Sequence, residues 1–199
     1  MTKVLIIGAH GQIARVATRQ LVERTDAELT LFLRRAHRLE HMADNPRVRI
    51  VEGDAADQAA LAAAMEGQDV VYANLSGDMP RQASAIVAVM EQAGMRRLIF
   101  ISSMGIYSEI PGELYRRILD PYRDSAAIVE RSGLDYTVIR PAWLTDEPRI
   151  AYGVTRKGEP FVNADETVSR ASVADLIVRL VNEPGFGIGE SFGIHHANA

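Results

Sequence analysis

Two glycines spaced three residues apart follow an apolar run near the start of the chain, in the sequence Gly8-Ala-His-Gly11-Gln-Ile-Ala14. A glycine at the first position allows a turn that a Cβ would block, and a glycine at the second lets a phosphate approach the main chain. The small Ala14 would keep a following helix close to the preceding strand, with the free N–H groups of the helix start facing a pyrophosphate. The pattern predicts a dinucleotide phosphate site, although an ordinary turn between a strand and a helix would have the same spacing.

Arg34 and Arg35 directly follow a second apolar run, residues 29–33. Proteins that select NAD typically carry an acidic residue near this point to hold the ribose 2′-hydroxyl, whereas a 2′-phosphate calls for arginine. The alternative is that both arginines only begin a solvated helix. The sequence therefore favours NADP(H) over NAD(H) as the cofactor.

Polar residues also follow the third and fourth apolar runs. Asp54 could accept a hydrogen bond from an adenine amino group, or it could cap the helix that follows. The loop that starts at Asn74 would lie at the carboxyl edge of a parallel sheet, beside the glycine turn and under the cofactor's ribose. The positions predicted to bind the cofactor in this part of the chain are Gly8, His10, Gly11, Gln12, Ile13, Arg34, Arg35, Asp54, Ala55, Asn74, Leu75, Ser76 and Gly77.

Short apolar runs alternate with helical patterns, which predicts an α/β fold: a Rossmann-type doubly wound parallel sheet with helices on both faces. Strands are predicted at residues 4–7, 29–33, 48–51, 69–73, 98–101 and 135–139. In the last third, the pattern predicts a hairpin over residues 152–161 around Lys157-Gly158. It also predicts a capping box at Ser172 that starts a helix to residue 181, and a final strand over residues 190–195.

Length and composition indicate an ordinary globular protein. With 199 residues, 47% of them hydrophobic, we expect a single NAD(P)-binding domain over residues 1–199, with a small substrate-side region from about residue 145 to residue 199. The sequence has no cysteine, which excludes thiolate chemistry, and the adjacent His195 and His196 would point to opposite faces of a strand, so no metal site is predicted. The first apolar run is too short for a membrane span and the net charge is −4, so we expect a cytoplasmic protein without membrane or nucleic-acid partners.

The glycine turn, Arg34, Ser102-Ser103 and Arg140-Pro141 occur in an order that resembles the short-chain dehydrogenase/reductase superfamily. More narrowly, the chain resembles the atypical branch of small NmrA-like NAD(P)-binding proteins. Residues 132–144, Ser-Gly-Leu-Asp-Tyr-Thr-Val-Ile-Arg-Pro-Ala-Trp-Leu, carry the most specific part of the resemblance. The resemblance implies one NADP(H) along the carboxyl edge of the sheet. It places the nicotinamide beside the ends of the fifth and sixth strands, at Ser102, Ser103, Pro141, Ala142 and Trp143.

The chain departs from the reductases of that superfamily at their Tyr-x-x-x-Lys pair, in which the lysine lowers the pKa of the tyrosine so that the phenol can exchange a proton with the substrate. The only lysines are Lys3 and Lys157, and Gly153 stands four residues before Lys157, so no such pair is possible. The candidate catalytic residues are Tyr122, at the start of the helix that usually carries the pair, and Ser103. Tyr122 could instead only pack on the sheet.

The missing pair favours chemistry that needs little acid catalysis. We expect an NADPH-dependent oxidoreductase that transfers hydride to a small acceptor such as a quinone or flavin, for which the protein supplies orientation. Trp143 and Tyr107 are candidate pocket walls; alternatively, Trp143 is a core or lid residue and Tyr107 a partly exposed loop aromatic.

Two other functions stay open. A non-catalytic NADP(H) redox sensor that regulates a protein partner is favoured by the missing lysine, and the chain could also form a homodimer. A sugar-nucleotide epimerase is disfavoured because 199 residues leave little chain for a sugar-binding domain.

Overall fold

The computed structural model describes residues 1–197, so the last two residues of the predicted domain, 198 and 199, lie outside the described part. The strands are β1 (Lys3–Ile7), β2 (Glu28–Leu33), β3 (Val48–Glu52), β4 (Val70–Ala73), β5 (Arg97–Ile101), β6 (Asp135–Pro141), β7 (Trp143–Thr145), β8 (Tyr152–Arg156), β9 (Thr167–Ser169) and β10 (Glu190–His196). The helices are α1 (Gln12–Arg24), α2 (Gln58–Met65), α3 (Met79–Gln92), α4 (Asp120–Arg131) and α5 (Arg170–Asn182). Two short 3₁₀ segments are Ala36–Met42 and Arg117–Leu119. Within residues 1–197, none of these helices combines the length and apolarity that a bilayer span requires.

The central sheet has eight strands in the order β3-β2-β1-β4-β5-β6-β10-β8. Every neighbouring pair is parallel except β8 with β10, which is antiparallel. The chain reverses its direction of travel across the sheet between β1 and β4, which is the switch point where open α/β sheets bind ligands. Strands β7 and β9 form a separate parallel pair. The predicted Rossmann-type α/β fold is confirmed.

Alternating side chains of β1 build the cores on both faces of the sheet. Val4 and Ile6 pack in the core formed with α1 and α5, whereas Leu5 and Ile7 pack in the core formed with α2, α3 and α4. All four side chains are at most 1% exposed. A strand covered on both faces has no solvent-facing positions, which explains the unbroken apolar run in the sequence.

Two predictions for the last third were wrong. Helix α5 begins earlier than predicted, because Ser169 is its N-cap and accepts a hydrogen bond from the Ser172 N–H at 3.0 Å. The side chain of Ser172 instead accepts a hydrogen bond from the Ala151 N–H at 3.0 Å. The chain does turn at Lys157-Gly158, but no return strand follows: β8 pairs with β10 and covers the edge that β10 would otherwise expose.

A buried ion pair ties β6 to the loop that follows β5. The Arg140 side chain is fully buried and that of Glu109 is 5% exposed, and Arg140 Nη1 donates a hydrogen bond to Glu109 Oε1. Arg140 Nε also donates to Ser191 Oγ at 3.0 Å. Glu109 accepts further hydrogen bonds from the N–H groups of Gly105 and Tyr107, at 2.9 and 2.8 Å. The carboxylate therefore fixes the course of the loop as well as neutralising the arginine.

Replacing Glu109 with glutamine should lower the free energy of unfolding by about 3–5 kcal/mol, because the Arg140 charge would stay buried without a counter-ion. Urea unfolding followed by circular dichroism measures this loss. The matched control is Arg96→Gln, which breaks the exposed Arg96–Asp135 pair and should change stability little because water screens that pair. Equal losses in the two variants would contradict the role given to Glu109.

Candidate functional site

A groove of about 460 Å³ opens at the carboxyl edge of the sheet, over the ends of β1, β2, β3 and β4. It brings together ten of the predicted cofactor positions: Gly8, His10, Gly11, Arg34, Arg35, Asp54, Ala55, Asn74, Leu75 and Ser76. Six further lining residues were not predicted: Ile7, Phe32, Leu33, Arg38, Gly53 and Gln82. Eight predicted cofactor positions do not line it: Gln12, Ile13, Gly77, Ser102, Ser103, Pro141, Ala142 and Trp143. The groove lies at the switch point of the sheet, where this class of fold binds its ligands.

The glycine turn is in close contact with the residue that follows β4. Gly8 has a φ of +76°, and a Cβ there would stand 2.1 Å from the carbonyl oxygen of Asn74. A Cβ on Gly11 would stand 1.8 Å from Asn74 Nδ2. Asn74 thus occupies space that any larger residue at either glycine would need. The sequence motif predicts the tight turn, but it does not predict that Asn74 is the neighbour that requires glycine there.

The start of α1 borders the groove with main-chain donors. Its N-cap is Gly11, which has no side chain to accept the first N–H groups of the helix, so these donors remain available to an anion. The side chains of the next two residues point elsewhere. Ile13 is in the core, and Gln12 Oε1 accepts a hydrogen bond from Arg170 Nη2 at 2.6 Å. Arg170 also forms an ion pair with Asp146, at 2.9 Å between Nη1 and Oδ1.

Three exposed arginines line the groove on the side of β2: Arg34, Arg35 and Arg38. Over residues 1–197, none of the three forms an ion pair with a carboxylate. Arg35 is the N-cap of the 3₁₀ segment and also lines the groove, so its position does not separate the two sequence interpretations. Arg38 lies inside that segment, and its spacing of four residues from Arg34 is the signal that could have identified it. Unpaired arginines beside free main-chain N–H groups are a donor set that fits phosphate.

Two titratable side chains complete the groove. Partial burial, followed by the charges of Arg38 and Arg15, lowers the pKa of His10 below its ordinary value, which disfavours a positive charge on its ring. Asp54 Oδ1 accepts a hydrogen bond from the Ala56 N–H at 2.8 Å. Asp57 caps α2 instead, so the helix-cap interpretation of Asp54 was wrong.

A larger depression of about 820 Å³ lies at the opposite edge of the sheet, between the ends of α2 and α3. Both helices present their carboxyl ends to it, near Gly67 and Gly94. The negative ends of helix dipoles disfavour phosphate. The smaller groove at the carboxyl edge is therefore the better candidate for a dinucleotide.

The ends of β5 and β6 lie side by side, as predicted for the nicotinamide end of the site. The Ser102 N–H donates to the Ile139 carbonyl at 2.7 Å, and the Met104 N–H donates to the Pro141 carbonyl at 3.2 Å. Pro141 and Ala142 are buried at this junction.

The two candidate catalytic side chains flank the same junction. Ser103 is half-buried, and its Oγ donates to the Met104 carbonyl at 3.2 Å. Tyr122 is the third residue of α4, and its carbonyl accepts a hydrogen bond from Ser102 Oγ at 3.2 Å. In the described part of the chain, the Tyr122 hydroxyl has no hydrogen-bond partner. The Tyr122 side chain is partly buried and packs against the core formed with α2, α3 and α4, which is the packing role that the sequence left open for it.

The sequence has no lysine four residues after Tyr122, but the fold brings Lys157 beside Tyr107. Lys157 Nζ is 4.5 Å from the centroid of the Tyr107 ring and 2.7 Å from Glu130 Oε2. The Tyr107 hydroxyl donates a hydrogen bond to Glu130, and burial followed by this bond raises the pKa of Tyr107. A raised pKa makes the Tyr107 phenol a weaker acid, which opposes proton donation to a substrate. Tyr107 and Lys157 therefore do not replace the Tyr-x-x-x-Lys pair. Tyr107 lies in the loop after β5 and is partly exposed, as the alternative predicted, and its hydroxyl is held in a polar network.

Trp143 is the first residue of β7 and follows the end of β6 closely in sequence. Its side chain is 51% exposed, so it is not a core residue. The guanidinium of Arg116 lies 5.5 Å from the centroid of its ring. The tryptophan is thus an open aromatic face at the edge where the nicotinamide is expected.

Known proteins share both the fold and the sequence pattern. A family model described as NAD(P)H-binding matches residues 8–184. The chain is 42% identical to a Rossmann-fold NAD(P)-binding family protein from Shigella flexneri, whose structure matches with a TM-score of 0.86 over 100% of this chain and 96% of that one. A short-chain dehydrogenase/reductase (wide type) from Veillonella parvula DSM 2008, solved in complex with NADP, is 25% identical with a TM-score of 0.89 over 98% and 94% of the two chains. An uncharacterized sugar epimerase of Bacillus subtilis (strain 168) is 27% identical over 209 residues, 94% of each chain.

Replacing Gly8 with alanine should lower the free energy of unfolding by about 1–3 kcal/mol through its positive φ alone, and further through the collision with Asn74. Urea unfolding measures this loss. Gly133→Ala is the control, because its Cβ would meet no atom within 4 Å, and its effect should stay within about 0.5 kcal/mol. A Gly8→Ala protein as stable as the Gly133→Ala protein would show that the turn tolerates a side chain.

Proposed function

The chain belongs to the NAD(P)H-binding family, and from that membership we propose that it is an NADPH-dependent oxidoreductase whose hydride acceptor is a small quinone or flavin. The expected relationship to the short-chain dehydrogenase/reductase superfamily is confirmed, whereas the closer placement among NmrA-like proteins and the cytoplasmic location stay predictions. The observation that carries the proposal is the groove at the switch point, in which unpaired arginines stand beside the glycine turn.

The arginines support NADP(H) as the cofactor. Arg34 follows β2 at the position where proteins that select NAD typically have an acidic residue, and Arg35 and Arg38 add positive charge to the same side of the groove. Asp54 is the one acidic side chain among the residues that line the groove, and it follows β3 rather than β2. A 2′-phosphate would be an anionic partner for the three guanidinium groups, which have no carboxylate partner within residues 1–197.

The residues at the ends of β5 and β6 support direct hydride transfer. NADPH supplies a hydride when bound, that is, two electrons and one proton, and a second proton from water completes the reduction of a quinone or flavin. Ser103 and Tyr122 would border the reacting rings and orient them. Lys157 is paired with Glu130 and lies against the Tyr107 ring, so Tyr122 has no lysine partner of the Tyr-x-x-x-Lys kind, and an acceptor that needs no strong proton donor suits this site.

A redox sensor is the second candidate. The ion pair between Lys157 and Glu130 favours it, because it leaves Tyr122 without the lysine that reductases of the superfamily use. The same groove would bind NADP(H) in both cases. The two functions differ in whether bound NADPH is consumed.

Replacing Arg34 with alanine should weaken NADPH binding about tenfold or more, because a charge-assisted contact to the 2′-phosphate would be lost. NADH binding should change little. Calorimetric titration of each cofactor measures both. Arg19→Ala is the control: Arg19 is exposed on α1, carries the same charge and does not line the groove.

Equal weakening of NADPH and NADH by Arg34→Ala would mean that Arg34 supports the fold of the groove and does not select the cofactor. Binding of neither cofactor by the unmodified protein would remove the basis of the proposed function. The binding partner of this chain would then have to be sought among proteins and not among nucleotides.

Replacing Tyr122 with phenylalanine should reduce the rate of NADPH oxidation with menadione or FMN by less than about tenfold, since general acid catalysis contributes about 10²–10⁴-fold where it operates. Steady-state NADPH oxidation measures kcat for each acceptor. A loss of a hundredfold or more would make Tyr122 a proton donor. Tight NADPH binding without turnover on any acceptor would favour the sensor, which a pull-down that changes with the NADP⁺/NADPH ratio would then test.

A further inference from the structure

We propose that Trp143 and Arg116 form the acceptor subsite, and that this subsite binds a flat conjugated ring that carries an anionic group. The inference rests on the proposed function, because it names the chemical class of the hydride acceptor. It concerns residues outside the dinucleotide groove, and neither of them lines that groove.

The first observation is the position of the tryptophan. Trp143 is the only tryptophan of the chain, and half of its side chain is exposed directly after the end of β6. The main chain of Pro141, two residues before it, joins the end of β6 to the loop after β5. A large aromatic face left open at the carboxyl edge of a parallel sheet offers a stacking surface to a flat ligand.

The second observation is the charge above that ring. The Arg116 guanidinium lies 5.5 Å from the Trp143 centroid and forms no ion pair within residues 1–197. The nearby Arg123 makes a similar ring contact, 5.3 Å from Tyr115, but Asp120 and Asp124 neutralise it at 3.0 and 2.7 Å. Arg116 therefore keeps its full charge for an external anion, in a protein whose net charge is −4.

The third observation is the apolar surface around Arg116. Leu114 is 90% exposed and Ile118 is 78% exposed, two residues before and two residues after the arginine. Exposed apolar side chains beside a free cation suit a ligand with an apolar ring next to its anion, and suit a hydrated inorganic phosphate poorly. A sulfonated or phosphorylated ring compound combines both properties.

FMN and riboflavin form a matched pair of probes, because they share the isoalloxazine ring and differ by the phosphate. Each is titrated in its oxidised form, without NADPH, against the fluorescence of Trp143, with N-acetyltryptophanamide at equal flavin concentration as the correction for absorbed light. FMN should quench Trp143 with a Kd about tenfold lower than that of riboflavin. The difference should shrink as salt is added.

Arg116→Gln should raise the Kd of FMN about tenfold and leave that of riboflavin unchanged. Arg117→Gln is the control, since Arg117 is the adjacent exposed arginine and has no ring contact among the described residues. An equal loss in both variants would overturn the proposal, because it would reflect general attraction and not a site. Equal binding of FMN and riboflavin would overturn it as well.

Turnover separates this inference from the proposed function. If NADPH reduces both flavins with equal KM and Arg116→Gln changes neither value, the protein is an oxidoreductase and the acceptor subsite lies elsewhere. If neither flavin is reduced but FMN still quenches Trp143 through Arg116, the subsite exists and the proposed reaction is wrong. A third outcome would also overturn the proposal: sedimentation shows a dimer that Leu114→Ser disrupts, and Arg116→Gln leaves FMN binding unaffected. The exposed apolar side chains of Leu114 and Ile118 would then be assigned to a contact with a second copy of the chain.

Discussion

The close approach of the glycine turn to Asn74 is the constraint on which the groove depends. Strands β1 and β4 are neighbours in the sheet, and the Asn74 N–H continues their ladder by donating to the Ile7 carbonyl at 2.9 Å. The chain must then turn sharply at Gly8 to enter α1 without striking Asn74. Only a residue without a Cβ satisfies both conditions. The turn leaves the start of α1 facing outward at the switch point, and the arginines after β2 complete the site from the other side.

At the carboxyl edge of the sheet, some arginines are paired with a carboxylate and others are not. Buried Arg140 is neutralised by Glu109, and this pair shapes the loop between β5 and α4. The exposed arginines Arg34 and Arg116 have no carboxylate partner within residues 1–197. A buried charge must be compensated within the protein, whereas an exposed one can pair with a ligand. The same residue type therefore supports the scaffold at Arg140 and is proposed to bind ligands at Arg34 and Arg116.

The parts of the fold that depend on local patterns were predictable, and the parts that depend on distant pairing were not. Unbroken apolar runs identify strands covered on both faces, and the glycine spacing identifies the turn, because each is a property of consecutive residues. The partner of β8 could not be predicted, since the choice between a local hairpin and the edge of β10 depends on which edge the finished sheet leaves open. The contact of Lys157 with Tyr107 could not be predicted for the same reason, because the two residues are fifty positions apart in the sequence.

Arg170 contacts residues at both ends of the proposed site. Its guanidinium donates to Gln12 at the start of α1 and pairs with Asp146, which lies just beyond the strand that begins with Trp143. One side chain therefore connects the start of α1, where phosphate is proposed to bind, with the residue after β7, the strand that begins at the proposed acceptor subsite. The two ends cannot be altered independently at this position, so a phenotype caused by substituting Arg170 could not be attributed to cofactor affinity or to acceptor affinity alone.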